Sequence, residues 1–254
     1  MVHAGPKHAK DHVARNGHAF TKEQVAGYIA PLKGGAMAAR QRRFTDRVEA
    51  GEQLAEVLAQ RVHPPVIVLA IPRGGVIVGA CVAERLGAPM DVVVPRKVGA
   101  PGNPELAVGA VAEGVEAIDE AAVRRLGLDM PAVRAEAARQ TAEVKRRTAA
   151  YRRGRPPLDL TGRTAVLVDD GVATGWTCVA AARFTRRAGA GRVLVAVPVG
   201  PAELARRLWP AVDEVVVLQT PDPYLAVGQA YVRFPQVGDD EVLRCLEGRT
   251  SAPR

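Results

Sequence analysis

Apolar and polar residues alternate from Phe44 onward in two distinct rhythms. FTDRVEAGEQLAEVLAQRV (44–62) has Val48, Leu54, Val57 and Leu58 at helical spacing, which predicts a helix with Thr45 as its cap. VIVLAI (66–71) is a short β-branched run and predicts a buried strand, ended by a PRGG turn (72–75). VIVGACVAERLGA (76–88) predicts an apolar helix stopped by Gly87, and DVVVP (91–95) a second strand. RKVGAPGNPE (96–105) is rich in Gly and Pro and reads as a loop. LAVGAVAEG (106–114) predicts a third strand, with VEAI (115–118) extending it or pairing with it.

Helical spacing and dense charge return over 119–153. Asp119 is placed to cap one helix, and Pro131 lies in the first turn of another. GRPPLDLTG (154–162) is a turn-rich connection. RTAVLV (163–168) predicts a fourth strand, followed by a loop and a helix to about residue 188. RVLVAVPV (192–199) predicts a fifth strand, PAELARRLWP (201–210) a helix and DEVVVLQ (213–219) a sixth strand. Short apolar strands alternating with helices predict an α/β fold: an open parallel sheet with helices on both faces. No internal repeat interrupts this pattern.

Residues 1–43 lack sustained periodicity and read as a mobile, basic N-terminal extension, with one short helix near 21–30. The organised domain is expected over 44–254. Four of the five His lie in the extension, among them His8 and His12. No Cys or acid completes a ligand set around them, so a solvated tail is the expectation rather than a metal site.

Composition narrows the class. The chain has 254 residues, 48% of them hydrophobic and 24% charged, as in an ordinary soluble protein. No segment reaches the ~20 apolar residues of a membrane helix, and no compact apolar run resembles a secretory leader. Three Cys are scattered without paired spacing, which argues against a disulfide framework or a zinc site and predicts a cytoplasmic protein. The net charge is +8, but residues 1–43 carry +6 of it, so the body of the chain is nearly balanced. That distribution argues against a nucleic-acid-binding body.

The candidate chemistry lies in VLVDDGVATGWT (166–177). A buried strand ends in Asp169 and Asp170, and ligands of open α/β sheets bind at the carboxyl ends of strands. The loop Gly171-Val172-Ala173-Thr174-Gly175-Trp176-Thr177 then enters a helix. Small side chains let backbone N–H groups converge, and the helix N-terminus adds partial positive charge, which suits a phosphate. Carboxylates accept hydrogen bonds from a sugar diol, and a divalent cation could share them. The stretch therefore asks for a sugar phosphate. A nucleotide P-loop would need Gly-Lys-Ser/Thr, a dinucleotide fingerprint Gly-x-Gly-x-x-Gly, and an Asp-x-Asp phosphatase an acid at 172, which is Val.

TAVLVDDGVATGWT (164–177) resembles the signature of the type I phosphoribosyltransferase family, and VIVLAIPRGGVIVGACVAERLGAPMDVVVPRK (66–97) is similar to its first strand, pyrophosphate loop, helix and second strand. The resemblance runs from Phe44 to about Leu243, including the GAPGNPE loop and a C-terminal PDPYLAVG segment. It implies that Asp169 and Asp170 hold the ribose hydroxyls of phosphoribosyl pyrophosphate (PRPP), and that Gly171, Val172, Ala173, Thr174, Gly175 and Thr177 hold its 5′-phosphate. It implies that Arg73 and Gly74 bind pyrophosphate, with a non-proline cis peptide at that turn, and that Arg96 and Lys97 help to neutralise it. Residues 96–105 would then form a flap closing over the site. Arg73, Lys97, Asp169 and Asp170 would carry catalysis, with Mg²⁺ held through PRPP and Asp169 and Asp170 as further candidate ligands.

The implied activity is transfer of the 5-phosphoribosyl group from PRPP to a nucleobase-like acceptor, with release of pyrophosphate. The alternative is a regulator that senses PRPP or nucleotide on the same fold. Family members are commonly dimers, so the resemblance also implies a homodimer. The hypoxanthine-guanine type has an acid where this chain has Ala173, so that base cannot be carried over. Trp176 departs from the usual small residue or Lys, and its indole is expected to face away from the phosphate. A small C-terminal hood would read the acceptor. PYLAVGQAYVRFPQV (223–237) is the candidate, and its Tyr224, Tyr231 and Phe234 are expected to pack that segment rather than to stack on a base.

Overall fold

The computed structural model describes residues 42–157, 159–209 and 211–247. The expected N-terminal helix and the His8–His12 pair lie outside these residues. The elements in chain order are α1 (Arg47–Ala59), β1 (Val66–Ala70), α2 (Gly75–Leu86), β2 (Met90–Val92), β3 (Arg96–Ala100), β4 (Asn103–Ala112), β5 (Val115–Ile118), α3 (Glu120–Arg125) and α4 (Met130–Arg152). They continue as β6 (Thr164–Val168), α5 (Trp176–Arg187), β7 (Arg192–Val199), α6 (Leu204–Leu208), β8 (Glu214–Gln219), a 3₁₀ turn (Val227–Ala230) and α7 (Asp239–Leu246).

Five strands form one parallel sheet in the order β2-β1-β6-β7-β8. Alternation along β1 explains why it is apolar throughout. Val66, Val68 and Ala70 face a core with α1 and α2, whereas Ile67, Leu69 and Ile71 face a second core with α5 and α6. Asp46, not Thr45, caps α1: its carboxylate accepts from the N–H groups of Val48 and Glu49. Asp119 and Asp129 cap α3 and α4 in the same way, and Pro131 sits in the first turn of α4. Among the described residues, no helix is long and apolar enough to cross a membrane.

The third strand does not join the parallel sheet. Residues 96–105, expected as a loop, instead build the antiparallel pair β3–β4, and β5 completes a separate three-stranded sheet in the order β3-β4-β5. Its Gly and Pro are hairpin devices. Gly102 has φ +77° after Pro101, the requirement of a type II turn. Gly99 lies at a register shift, where an added Cβ would stand 2.7 Å from Cα of Pro104. The hairpin packs on α4 through Val98, Val108, Val111, Val133, Ala137 and Val144, a third apolar cluster. Helix 201–210 is shorter than expected, running only over Leu204–Leu208.

The segment before α1 and the segment after the 3₁₀ turn meet in a parallel bridge of Phe44 with Tyr231. The N–H of Phe44 donates to Ala230, and the N–H groups of Val232 and Arg233 donate to Phe44 and Thr45. Both Phe44 and Tyr231 are buried, and their ring centroids lie 5.6 Å apart.

Candidate functional site

Strand β6 carries Asp169 and Asp170 just past its carboxyl end, and β1 ends beside it in the PRGG turn. The Pro72–Arg73 peptide is cis, in keeping with the resemblance. Gly74 and Gly75 let this turn approach the acids. A Cβ on Gly74 would overlap Oδ2 of Asp170, and one on Gly75 would stand 2.8 Å from Cα of Asp169. The acids and the turn are thus one site, built from two adjacent parallel strands.

The acids are held from several sides. The N–H of Asp170 donates to Oδ1 of Asp169 at 2.8 Å. The hydroxyl of Tyr231 donates to the carbonyl of Asp170 at 2.5 Å. Nε of Arg47 donates to Oδ2 of Asp170 at 2.7 Å. Burial pushes both carboxyls above the usual range; the neighbouring Asp170 charge raises Asp169 further, and Arg47 opposes the rise at Asp170. Two buried acids side by side favour a cation or a set of hydroxyl donors in their company. Among the described residues, no group of three or more His, Cys, Asp or Glu is disposed to hold a metal alone.

The loop 171–177 divides into two parts. Gly171 and Val172 belong to the core: the N–H of Val172 donates to Val199, and its carbonyl accepts from the Tyr224 hydroxyl at 2.8 Å. Val172, expected to hold phosphate, cannot donate its N–H there because Val199 already takes it. Ala173 and Thr174 are exposed, and Gly175 turns at φ +85° into α5. The first intrahelical bond runs from Val179 to Gly175, and α5 has no side-chain cap. The N–H groups of Trp176, Thr177 and Cys178 therefore precede the helical ladder, the arrangement that receives an anion. Trp176 is half-buried against the second apolar core, so its ring is a packing group.

The other expected residues lie further out. Arg73 is half-exposed, with Nη1 3.9 Å from Oδ1 of Asp239 at the start of α7. Nε of Arg96 donates to Gln140 on α4 at 3.0 Å, and Lys97 is exposed on the hairpin. Among the described residues, no hydrogen bond or ion pair joins Arg96 or Lys97 to the acids. In the hood, Tyr231 stacks on Phe234 at 4.8 Å, so these rings do pack the C-terminal segment. Both Tyr hydroxyls also reach the backbone of the site loop, a role the sequence did not reveal. A cavity of about 510 Å³ opens beside Ala173 and Thr174, with Glu203, Asp222, Tyr224 and Leu225 on its wall.

Arg47 is the site residue that sequence reasoning missed. It lies 123 positions from Asp170, and nothing local distinguishes it from a solvated helix arginine. Only its place on the first turn of α1, next to the buried Phe44, hinted at burial.

Residues 45–222 match the family model of the phosphoribosyl transferase domain. Two curated proteins of Mycobacterium tuberculosis, from strains CDC 1551 / Oshkosh and ATCC 25618 / H37Rv, bear the name "putative phosphoribosyl transferase" and are 49% identical over 205 residues. That match covers 80% of this chain and 46% of each relative, so the chain spans about half the length of the curated relatives it matches. The crystal structure of TT1426 from Thermus thermophilus is 46% identical with a TM-score of 0.70, covering 82% of this chain and 100% of that one.

Proposed function

The chain belongs to the phosphoribosyl transferase domain family, and from that premise we propose that it transfers the 5-phosphoribosyl group of PRPP to a nucleobase-like acceptor and releases pyrophosphate. One observation carries the reading. The acid pair, the open N-terminus of α5 and the cis PRGG turn stand side by side at the carboxyl edge of β1 and β6. Each offers what one part of PRPP needs: hydroxyl acceptors, phosphate donors, and a close backbone with a guanidinium.

Asp169 and Asp170 accept from the ribose hydroxyls and orient the anomeric carbon. Thr174, Gly175 and Thr177, with the first N–H groups of α5, bind the 5′-phosphate. Arg73 meets the charge that grows on the departing pyrophosphate. The β3–β4 hairpin carries Arg96 and Lys97 and closes over the site, excluding water from the oxocarbenium-like centre. The buried carboxylates fit a Mg²⁺ ion held mainly through PRPP, with Asp169 and Asp170 as its protein partners. When bound, that ion supplies charge neutralisation on the leaving group. The acceptor enters the cavity beside Ala173, where Asp222 and Glu203 suit a ligand presenting N–H donors. Most of the work is positioning and electrostatic stabilisation.

The test is pyrophosphate release from PRPP and Mg²⁺ across a panel of purine and pyrimidine bases. Turnover with one base establishes the transferase. Tight PRPP binding without turnover on any base supports the sensor instead, and no PRPP binding overturns both.

A further inference from the structure

The Arg47 side chain is 8% exposed, although arginine is seldom buried without a reason. Its guanidinium is committed on three sides. Nε donates to Oδ2 of Asp170 at 2.7 Å, Nη1 donates to the carbonyl of Pro235 at 2.7 Å, and Cζ lies 3.8 Å from the centroid of the Phe234 ring. The carbonyl and the ring belong to the C-terminal segment, whereas Arg47 begins α1. The pairing of Phe44 with Tyr231 holds both in register.

Stability is a weak explanation for this arrangement. A buried ion pair roughly breaks even against an apolar pair of the same volume, since desolvation offsets the attraction. Its geometric effect is larger. The backbone of Asp170 is held through Asp169 and Tyr231, and Oδ2 of its carboxylate is held by Arg47. Arg47 takes Oδ2, which leaves Oδ1 as the other acceptor of this carboxylate.

We propose that Arg47 is a positioning residue for sugar recognition: anchored by Pro235 and Phe234, it fixes Oδ2 of Asp170 and so aims Oδ1 at the ribose hydroxyls. The inference rests on the sugar-phosphate reading of the acid pair and adds a residue to it. It also ties the sugar site to the pairing of the segments around Phe44 and Tyr231. Among the described residues, no hydrogen bond or ion pair joins Arg47 to the N-terminus of α5, the proposed 5′-phosphate subsite.

The experiment compares inorganic phosphate and ribose 5-phosphate as ligands of the whole protein by calorimetry, in wild type, Arg47→Met, Arg47→Lys and Phe234→Leu. Melting temperatures are recorded alongside. Wild type should bind ribose 5-phosphate more tightly than phosphate. In Arg47→Met the sugar should add little, a loss of about tenfold or more for ribose 5-phosphate with phosphate affinity unchanged. Arg47→Lys keeps a charge near Asp170 but not the fork, and should recover part of the difference. Phe234→Leu removes one anchor, keeps the ion pair and should show a smaller loss of the same kind. Equal loss of both ligands, or no loss, in Arg47→Lys and Phe234→Leu would overturn the proposal. If wild type gains nothing from the sugar, the reading of the acid pair itself fails, and that outcome is seen before any variant is examined.

Discussion

Gly74 packs so closely on Asp170 that a Cβ in its place would stand 2.6 Å from Cγ of that carboxylate and 2.8 Å from Nε of Arg47. The turn and the acid thus share one volume. Gly74→Ala should displace the carboxylate, weaken PRPP binding by at least about tenfold and destabilise the fold by about 2 kcal/mol. Calorimetry and thermal melting measure the two effects separately. Unchanged PRPP affinity would mean that the turn and the acid act independently.

The two acids should respond in opposite ways to neutralisation. Asp169 is raised by burial and then by the Asp170 charge, so Asp169→Asn removes repulsion while keeping the Oδ1 acceptor. Its melting temperature should hold or rise while PRPP binding falls. Asp170→Asn strips the buried Arg47 of its counter-charge and should cost about 3 kcal/mol as well as binding. The double variant should bind no PRPP. A melting temperature that falls equally in both single variants would contradict this electrostatic account.

The main sheet was legible because β1, β6 and β7 are buried on both faces, which leaves an unbroken apolar run bounded by turns. The acid pair and its loop stood out as a candidate site because their chemistry is contiguous in the chain. The β3–β4 hairpin was not. Pro101, Gly102 and Gly99 serve a tight turn and a register shift, and the same residues in isolation signal a loop. Arg47 was hidden for another reason: its partners Asp170, Phe234 and Pro235 all lie far along the chain. Val172 shows the converse, since a small-residue loop gives no sign of which N–H the fold consumes.

Cys178 is fully buried on α5, and burial together with Asp169 pushes its thiol well above the ordinary range. Iodoacetamide at pH 8 should therefore leave Cys178 unmodified in the native protein and label it after denaturation. Peptide mass spectrometry distinguishes it from Cys81 and Cys245. Labelling of Cys178 in the native protein would show that the start of α5 opens readily.

Arg152, at the end of α4, joins two acids of different elements. Its Nε lies 3.4 Å from Oδ2 of the buried Asp91, and Nη1 donates to Glu113 at 3.0 Å. This contact fastens the hairpin and its helix to β2. Arg152→Met would leave Asp91 buried with only the Val92 N–H for company and no counter-charge, and should cost about 3 kcal/mol; adding Asp91→Asn should return part of that. Chemical denaturation of the single and double variants tests it, and purely additive losses would show that the two residues do not interact.

Arg73 already faces an anion within the protein. Nη1 stands 3.9 Å from Oδ1 of Asp239, and that oxygen also accepts from the Tyr151 hydroxyl at 2.7 Å. If Arg73 receives pyrophosphate, Asp239 repels the incoming anion and occupies its binding group. Both side chains are half-exposed, so the coupling is worth no more than about 1 kcal/mol. Asp239→Asn keeps an acceptor for Tyr151 and removes the charge. It should tighten pyrophosphate binding about twofold to fivefold at low ionic strength, with the gain shrinking in ~0.5 M salt as screening grows. Arg73→Ala should weaken pyrophosphate and make it insensitive to the Asp239 substitution. An Asp239→Asn gain that persists in the Arg73→Ala background would place the anion elsewhere on the turn.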